Sequence, residues 1–410
     1  MSILTSYPKE KINVLLLENI SDNAVEGFKK AGYLNIKKLK TALPESELMD
    51  EIKNIHLLGL RSKTQLSQAV LNAAEKLLAA GCYCIGTNQV DINAATEKGV
   101  VIFNAPYSNT RSVAELVIGS AIMLIRRIPE KNNSAHHGIW LKDAAGSYEL
   151  RGKKLGLVGY GNIGSQVSIL AEALGMEVIY YDVEPKLPLG NAKPVRTLKE
   201  LLNAAQIISL HIPENNGSQY LIGASEIAEM QQGSILINYA RGKLIDLVAL
   251  KSAVENKKLA GAAIDVFPDE PEKNGADFFS VLQNLPNVLL TPHIGGSTEE
   301  AQLNISEDVT HKLLNYLEKG ITTGSHSIPA LNLPVQENTR RILHIHKNIP
   351  GVLSAITTIL SGNSINILGQ YLKTNDLIGY AVLDVDTQMD TDTFTQLKSV
   401  DGTIKARMVY

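Results

Sequence analysis

The sequence predicts an α/β protein in which two doubly wound parallel-sheet domains are followed by a C-terminal ferredoxin-like β-α-β-β-α-β domain. Three observations carry this expectation. At 410 residues the chain is longer than one hydrophobic core usually serves. Short β-rich runs alternate with helical patterns from Lys11 to Phe103 and again from Lys154 to Thr291, as parallel sheets with crossover helices require. Beyond Asn338 the order changes to strand, helix, two strands, helix, strand, the split β-α-β arrangement.

In the first stretch, strands are expected at Ile12 to Leu17, Ile55 to Leu60, Cys82 to Ile85 and Val100 to Phe103, with helices at Ser21 to Ala31, Ser67 to Leu78 and Asp91 to Lys98. A long apolar helix, Ser112 to Arg127, precedes a polar stretch from Lys131 to Leu150. Six further strands are expected, at Lys154 to Val158, Glu177 to Tyr181, Ile207 to His211, Ser234 to Asn238, Ala262 to Val266 and Val288 to Thr291. Ser297-Thr298-Glu299-Glu300 reads as a capping box opening a helix to about Leu317. The polar run Lys319 to Asn338, with two glycines and two prolines, reads as a linker. The tail strands are Thr339 to His346, Ile365 to Leu372, Leu377 to Asp384 and Thr403 to Tyr410, with helices Val352 to Leu360 and Asp392 to Val400. No solenoid repeat or low-complexity run interrupts this.

Composition excludes several classes of function. The 39 basic and 42 acidic residues give a net charge of −3, so no general field draws nucleic acid or acidic lipid. The longest apolar run, Leu116 to Ile125, ends at Arg126 and Arg127, about half of the roughly 20 residues a membrane span needs. The first residues carry no basic, apolar and small-residue sequence of a secretory leader, so a cytoplasmic protein is expected. Cys82 and Cys84 are too close to staple a fold and read as buried reduced thiols, with no metal site expected.

Gly159-Tyr160-Gly161-Asn162-Ile163-Gly164 follows a predicted strand and opens a predicted helix. The first glycine permits the turn, the second lets backbone approach a pyrophosphate, and the third lets helix and strand pack closely. Asp182, 21 positions after Gly161 and at the end of the next strand, is placed to accept hydrogen bonds from an adenosine ribose and to repel a 2′-phosphate. A Rossmann-like domain binding NAD in preference to NADP follows. Hydride transfer from an alcohol to NAD needs a base for the hydroxyl proton and a cation for a substrate carboxylate. Arg241, Glu270 and His293 each follow a predicted strand, and C-terminal strand ends converge on the crevice of an open parallel sheet. Arg can grip a carboxylate through paired hydrogen bonds, His exchanges protons near neutrality, and a carboxylate beside it raises its pKa. Asp269 leaves open which carboxylate faces the histidine. Taken singly, each of the three also reads as an ordinary loop residue.

The runs Asn104-Ala105-Pro106, Arg111-Ser112-Val113-Ala114-Glu115, the Gly159 fingerprint, Ala240-Arg241-Gly242, Asp265-Val266-Phe267-Pro268-Asp269-Glu270-Pro271 and Thr291-Pro292-His293-Ile294-Gly295-Gly296-Ser297 together resemble the D-isomer-specific 2-hydroxyacid dehydrogenases. The tail, with His346-Lys347-Asn348-Ile349-Pro350-Gly351 after its first strand, is similar to an amino-acid-binding ACT domain. The resemblance runs end to end and implies a discontinuous substrate-binding domain at 1–111 and 293–327. It implies a Rossmann NAD-binding domain at 112–292, a linker at 328–337 and an ACT regulatory domain at 338–410. Carried over by motif, Arg241 binds the substrate carboxylate, Glu270 supports the base and His293 is the acid/base. Asn162 and Ile163 sit at the pyrophosphate, Asp182 at the ribose and Asp265 near the nicotinamide. Tyr239, Ala240 and the run His293, Ile294, Gly295, Gly296 line the same crevice.

Further implications concern substrate, subunits and effector. Arg61 stands where the family places a cation for a substrate phosphate. Ala135 to Lys142 resembles the segment whose Trp140 and Lys142 reach a neighbouring subunit's active site, with His137 where an Arg is expected. The implied reaction is NAD-dependent oxidation of D-3-phosphoglycerate to 3-phosphohydroxypyruvate in serine biosynthesis, with reduction of 2-oxoglutarate as a side activity. His346, Asn348 and, from a second subunit, Asn366 would form an L-serine effector site, with ACT domains paired edge to edge in a homotetramer. His344 and His346 share a strand face, where packing or metal binding is the other reading, and Asn348 and Asn366 also read as turn caps. A glycerate, formate or D-lactate dehydrogenase, or a non-catalytic NAD-sensing regulator, is the alternative.

Overall fold

The computed structural model describes residues 8–213, 220–271, 275–334, 339–386 and 389–409. The reading of the extreme N-terminus, the linker residues 335–337 and the last residue of the final strand lie outside them. The chain divides into two compact units, Met1–Ser108 with Gln302–Tyr410, and Asn109–Ala301.

The first unit holds a parallel sheet of β1 (Asn13–Leu16), β2 (Asn35–Lys38), β3 (Leu57–Leu60), β4 (Ala79–Cys82) and β5 (Val101–Asn104) in the order β2-β1-β3-β4-β5. β3, β4 and β5 are buried at every residue, which is why they read as continuous apolar runs. β2, absent from the sequence reading, is an edge strand of sequence Asn-Ile-Lys-Lys with no fully buried residue. β4 lies three residues earlier than expected. Its Ala-Ala-Gly run has little β-propensity, but a side chain on Gly81 would stand 2.4 Å from Val309 Cγ1, so small residues admit the covering helix Glu299–Lys319. That helix is capped by Thr298, whose Oγ1 accepts from the Ala301 N–H at 3.1 Å. The expected capping box therefore starts one residue late and finds no Glu at its fourth position.

The stretch expected as a linker is packed in part. Ile328 and Leu333 are buried, and the Ser327 hydroxyl donates to Val100 O and accepts from the Ile102 N–H. The tail sheet comprises β13 (Arg340–Lys347), β14 (Ile367–Thr374), β15 (Ile378–Val385) and β16 (Thr403–Val409), antiparallel in the order β14-β15-β13-β16. One face packs beneath the helices Val352–Gly362 and Thr391–Lys398 through Ile342, Leu383 and Met408. The other, through Leu343, Ile345, Tyr380 and Val382, shares a core with Leu313, Tyr316 and Leu317. Buried Arg341 grips Asp384 at 2.6 and 2.8 Å and also donates to Lys319 O and Pro334 O. The tail is docked on its own unit by a shared apolar core.

The second unit is a seven-stranded parallel sheet of β6 (Lys154–Val158), β7 (Glu177–Tyr181), β8 (Lys193–Pro194), β9 (Ile207–Leu210), β10 (Ser234–Asn238), β11 (Leu259–Ile264) and β12 (Val288–Leu290). The order is β12-β11-β10-β9-β6-β7-β8. Six strands were expected; the seventh, β8, is a two-residue edge ending in proline, too short to show periodicity and confined to an edge by its missing N–H. The helices Thr110–Ile125 and Asn162–Ala173 cover one face through Val117, Ala121, Val167 and Ala171. Leu201, Ile227 and Leu250 bring three further helices onto the other. The helix Ile128–His136 occupies part of the stretch read as polar. Strand order reverses between β6 and β9, so the ligand crevice of this unit opens at their C-terminal ends. Among the described residues no helix is long and apolar enough to cross a membrane, and no group of three metal-ligating side chains forms.

Candidate active site

Register brings the chemistry together. Asn238 pairs with Ile264, and Ile264 with Leu290, so β10, β11 and β12 end level and the loops after them begin side by side. Asn238, fully buried, folds the first loop by donating to Arg241 O at 2.9 Å and accepting from the Ala240 N–H at 3.1 Å. A side chain on Gly242 would strike the Phe267 backbone at 2.1 Å, so the Ala240-Arg241-Gly242 loop lies directly on the loop that carries Glu270. Exposed Arg241 turns its Nη1 to Ala240 O at 2.7 Å.

Buried Asp265 holds the third loop. Its carboxylate accepts from the Thr291 hydroxyl at 2.6 Å and from the N–H groups of Ile294 and Gly295 at 2.8 and 2.7 Å. The Asp265 carbonyl accepts from the His293 N–H at 2.8 Å. These bonds keep His293 in left-handed backbone, φ 53°, a strained conformation for a non-glycine residue. Asp265 thus spends its oxygens on the loop, and whatever it contributes to a nicotinamide goes through that loop. Gly296 closes against Asn109, whose Nδ2 would lie 2.0 Å from an added Cβ.

His293 Nδ1 meets Glu270 Oε2 at 2.7 Å, while Glu270 Oε1 accepts from the Phe267 N–H at 3.0 Å. This decides between the two neighbouring carboxylates in favour of Glu270. The hydrogen bond to Glu270 raises the His293 pKa above 6.5; burial opposes it, the charges of Glu270 and Asp265 add to it and Arg241 subtracts. Burial pushes Glu270 upward, but the bonds from His293 and Phe267 N–H, with the charges of His293 and Arg241, outweigh it and leave the carboxyl below its ordinary value. The result is an imidazole tethered through Nδ1, with a proton-exchanging Nε2 and a cation on the adjoining loop.

The fingerprint glycines divide as their positions demand. Gly159 (φ 94°) has no room for a side chain, with His211 O 2.5 Å from where it would stand, and at Gly164 the Gly159 carbonyl would be 2.3 Å away. At Gly161, which caps the helix Asn162–Ala173, a side chain would meet no protein atom within 4 Å beyond its chain neighbours. Its missing side chain keeps open space at a helix N-terminus, the place a pyrophosphate takes. Asn162 and Ile163 form the first turn of that helix. Asp182, just beyond β7, accepts from the Tyr160 N–H at 2.8 Å and the Glu184 N–H at 3.0 Å, fixing a carboxylate beside the loop. Tyr239 and Ala240 are buried, and the Tyr239 hydroxyl bonds Ser120 at 2.6 Å. The sequence reading missed Asn238 and Thr291, whose signal is a polar residue at the end of an apolar strand. It also missed His211 as a buried imidazole at the end of β9, which burial alone pushes down to about 3.

Residues 118–295 match the model for the D-isomer specific 2-hydroxyacid dehydrogenase NAD binding domain, and residues 342–405 match that for the AHAS small subunit-like ACT domain. The chain is 50% identical over the full length of both chains to D-3-phosphoglycerate dehydrogenase of Haemophilus influenzae. The chain belongs to the D-isomer-specific 2-hydroxyacid dehydrogenases. Against the enzyme named D-3-phosphoglycerate dehydrogenase in Escherichia coli it is 51% identical over 99% of each chain. The NAD-complexed D-isomer specific 2-hydroxyacid dehydrogenase of Lactobacillus delbrueckii ssp. bulgaricus matches with a TM-score of 0.66 and 25% identity, over 74% of this chain and 96% of that one. The chain is therefore an NAD-dependent dehydrogenase carrying an ACT domain.

The remaining candidates of the dehydrogenase are described within their own units. Arg61 follows β3 in the first unit and is half-buried. Trp140 is 85% exposed and Lys142 is exposed, so Trp140 does not pack on its own domain; exposed His137 bonds Asn133 O through Nδ1 at 2.8 Å. In the tail, His346 is buried against Gly379, with its Nδ1 3.3 Å from that of His344, and burial lowers both pKa values, that of His344 to about 4. Asn348 and Asn366 are exposed; Asn348 Nδ2 donates to Asn375 O at 2.8 Å.

Proposed function

We propose that the dehydrogenase oxidises D-3-phosphoglycerate to 3-phosphohydroxypyruvate, and the observation that carries the mechanism is the 2.7 Å His293–Glu270 pair beside Arg241. Arg241 grips the substrate carboxylate, placing C2 and its hydroxyl beside His293. His293 takes the hydroxyl proton at Nε2 while Glu270 holds the Nδ1 proton and stabilises the imidazolium that forms. Bound NAD supplies the two-electron acceptor for the hydrogen leaving C2. Gly161, Asn162, Ile163 and Gly164 hold the pyrophosphate, Asp182 the ribose, and the backbone of Tyr239, Ala240 and His293 to Gly296 the nicotinamide end. In the first unit, Arg61 reads the phosphate. Relatives named D-3-phosphoglycerate dehydrogenase that match end to end support this substrate, together with Arg61, whose guanidinium has no hydrogen-bond or ion-pair partner among the described residues. NADH formation from D-3-phosphoglycerate, with D-glycerate and D-lactate as controls, tests it: 3-phosphoglycerate is preferred, and equal turnover of glycerate removes the phosphate from recognition. Reduction of 2-oxoglutarate belongs to the same reading, since Arg241 and His293 act on the shared 2-hydroxy acid unit.

The same reading makes the tail a serine sensor in a cytoplasmic homotetramer. The helix Val352–Gly362 begins at Gly351, φ 97°, with no side-chain cap, leaving N–H groups for an amino acid's carboxylate. Exposed Asn348 sits just before it. β14 is the outer strand of the sheet among the described residues and carries exposed Leu368 and Leu372, and Asn366 immediately precedes it, so edge-to-edge pairing of two tails brings Asn366 of one copy towards Asn348 of the other. Buried His346 backs this loop. Exposed Ile139, Trp140 and Leu141 suit contact between subunits, with Lys142 delivered to a neighbour. Asn348→Ala is expected to raise the serine concentration for half-inhibition by about tenfold, the loss of one to two hydrogen bonds, with turnover in serine's absence unaltered. Wild-type enzyme indifferent to millimolar serine contradicts this reading.

A further inference from the structure

After β1 the chain runs two consecutive non-glycine residues through left-handed backbone, Glu18 at φ 59° and Asn19 at φ 53°. Such conformations persist only where the surroundings over-determine them. At Glu18 the surroundings are a loop from another strand. The side chain is 9% exposed, and its carboxylate accepts three backbone N–H groups, from Arg61 and Thr64 on Oε1 at 3.0 and 2.9 Å and from Lys63 on Oε2 at 3.0 Å. Buried Gln89 completes the hold by donating to Arg61 O at 2.6 Å. Both backbone polar groups of Arg61 are thus fixed by side chains. Among the described residues its guanidinium has no hydrogen-bond or ion-pair partner. The loop stands at the C-terminal end of β3, where an open parallel sheet presents its ligand-facing residues.

We propose that Glu18, assisted by Gln89, is a positioning residue that aims Arg61 at the substrate's phosphate. The proposal rests on the reading of Arg61 as the phosphate cation and adds what holds it. Three charge-assisted bonds from the Arg61, Lys63 and Thr64 amides restrict the Arg61 backbone, so that less ordering remains to be done when the dianion arrives. Glu18→Gln exchanges one accepting oxygen for an NH2 group that faces an N–H donor, loosening the loop while conserving shape. A role in holding the fold alone would lower stability without selecting among kinetic constants.

The test is steady-state kinetics and thermal unfolding on Glu18→Gln, Gln89→Ala, Arg61→Ala and the Glu18→Gln/Arg61→Ala double variant. Glu18→Gln is expected to raise KM for 3-phosphoglycerate by about tenfold, with kcat and the KM for NAD within about twofold of wild type. In the double variant the Glu18 substitution adds nothing to the loss already caused by Arg61→Ala, because no guanidinium remains to be aimed. Gln89→Ala shifts the same constant in the same direction, and it decides the matter if Glu18→Gln does not fold. A folded Glu18→Gln enzyme with wild-type KM, or a double variant in which the two losses multiply, overturns the proposal while leaving Arg61 in place. A wild-type KM in Arg61→Ala overturns the phosphate reading itself, and the positioning role with it.

Discussion

Replacing His293 by Ala lowers turnover of 3-phosphoglycerate by about 10²- to 10⁴-fold, the range that a positioned general base contributes. The magnitude follows from how completely the site is organised around this side chain. The imidazole is the group of the cluster placed to accept a proton near neutrality, with Glu270 at 2.7 Å on its far nitrogen and, in the proposed mechanism, Arg241 on the substrate carboxylate. Solvent provides no substitute positioned and tuned in this way. NADH affinity remains close to wild type, since the loop is held by Asp265 through backbone and Thr291 and not by the imidazole. Fluorescence titration with NADH beside single-turnover kinetics separates the two. An Ala variant with wild-type turnover removes His293 from the chemistry.

Two alanine substitutions in the fingerprint are expected to part company. Gly164→Ala drives a methyl to 2.3 Å of the Gly159 carbonyl, and a backbone atom cannot swing aside as a side-chain tip can. The helix must lift from its strand, at a cost of about 1–3 kcal/mol or more, lowering Tm by several degrees and weakening NADH together. Gly161→Ala meets no protein atom within 4 Å, and its backbone, φ −85° and ψ −153°, suits any residue. It retains wild-type Tm and loses NADH affinity by about tenfold or more, because the methyl enters the space kept for phosphate. Differential scanning calorimetry and NADH titration on both variants check this. Wild-type NADH affinity in Gly161→Ala removes that space from the cofactor site.

The fold was legible where hydrophobic pattern and turn chemistry agreed. Strands such as Lys154–Val158 and Ser234–Asn238 were placed to the residue, since apolar runs bounded by Gly or polar residues admit few other readings. β2 and β8 escaped because edge strands bury little, and β4 because its small residues answer to a helix packed over them. The two sequence-distant partners His293 and Glu270 were anticipated from strand ends and motif, and geometry settled the choice over Asp269. Asn238, Asp265 as a loop clamp, and Glu18 were invisible for a common reason: each acts through backbone amides, which leave no residue-type signature at the receiving end. Glu18 receives N–H groups from positions 61 to 64, and only the folded chain brings them within reach. The tail was recognised as a module, but its apolar outer face, Leu343, Ile345, Tyr380 and Val382, belongs to a core shared with Tyr316, and alternation within a strand does not say what covers each face.

The most direct measurement is the pH dependence of kcat/KM for oxidation in wild type and in Glu270→Gln. Oxidation needs His293 neutral in the free enzyme, so the rate falls as pH drops through the His293 pKa, which Glu270 holds above 6.5. Replacing the carboxylate by an amide weakens the hydrogen bond and removes the charge that raise this pKa, leaving burial and Arg241, which lower it, opposed by the charge of Asp265. The acid limb is expected to move to lower pH in Glu270→Gln, alongside reduced turnover from the weaker orientation of the ring. An acid limb at the same or higher pH in the variant contradicts the pairing of Glu270 with His293 as the base.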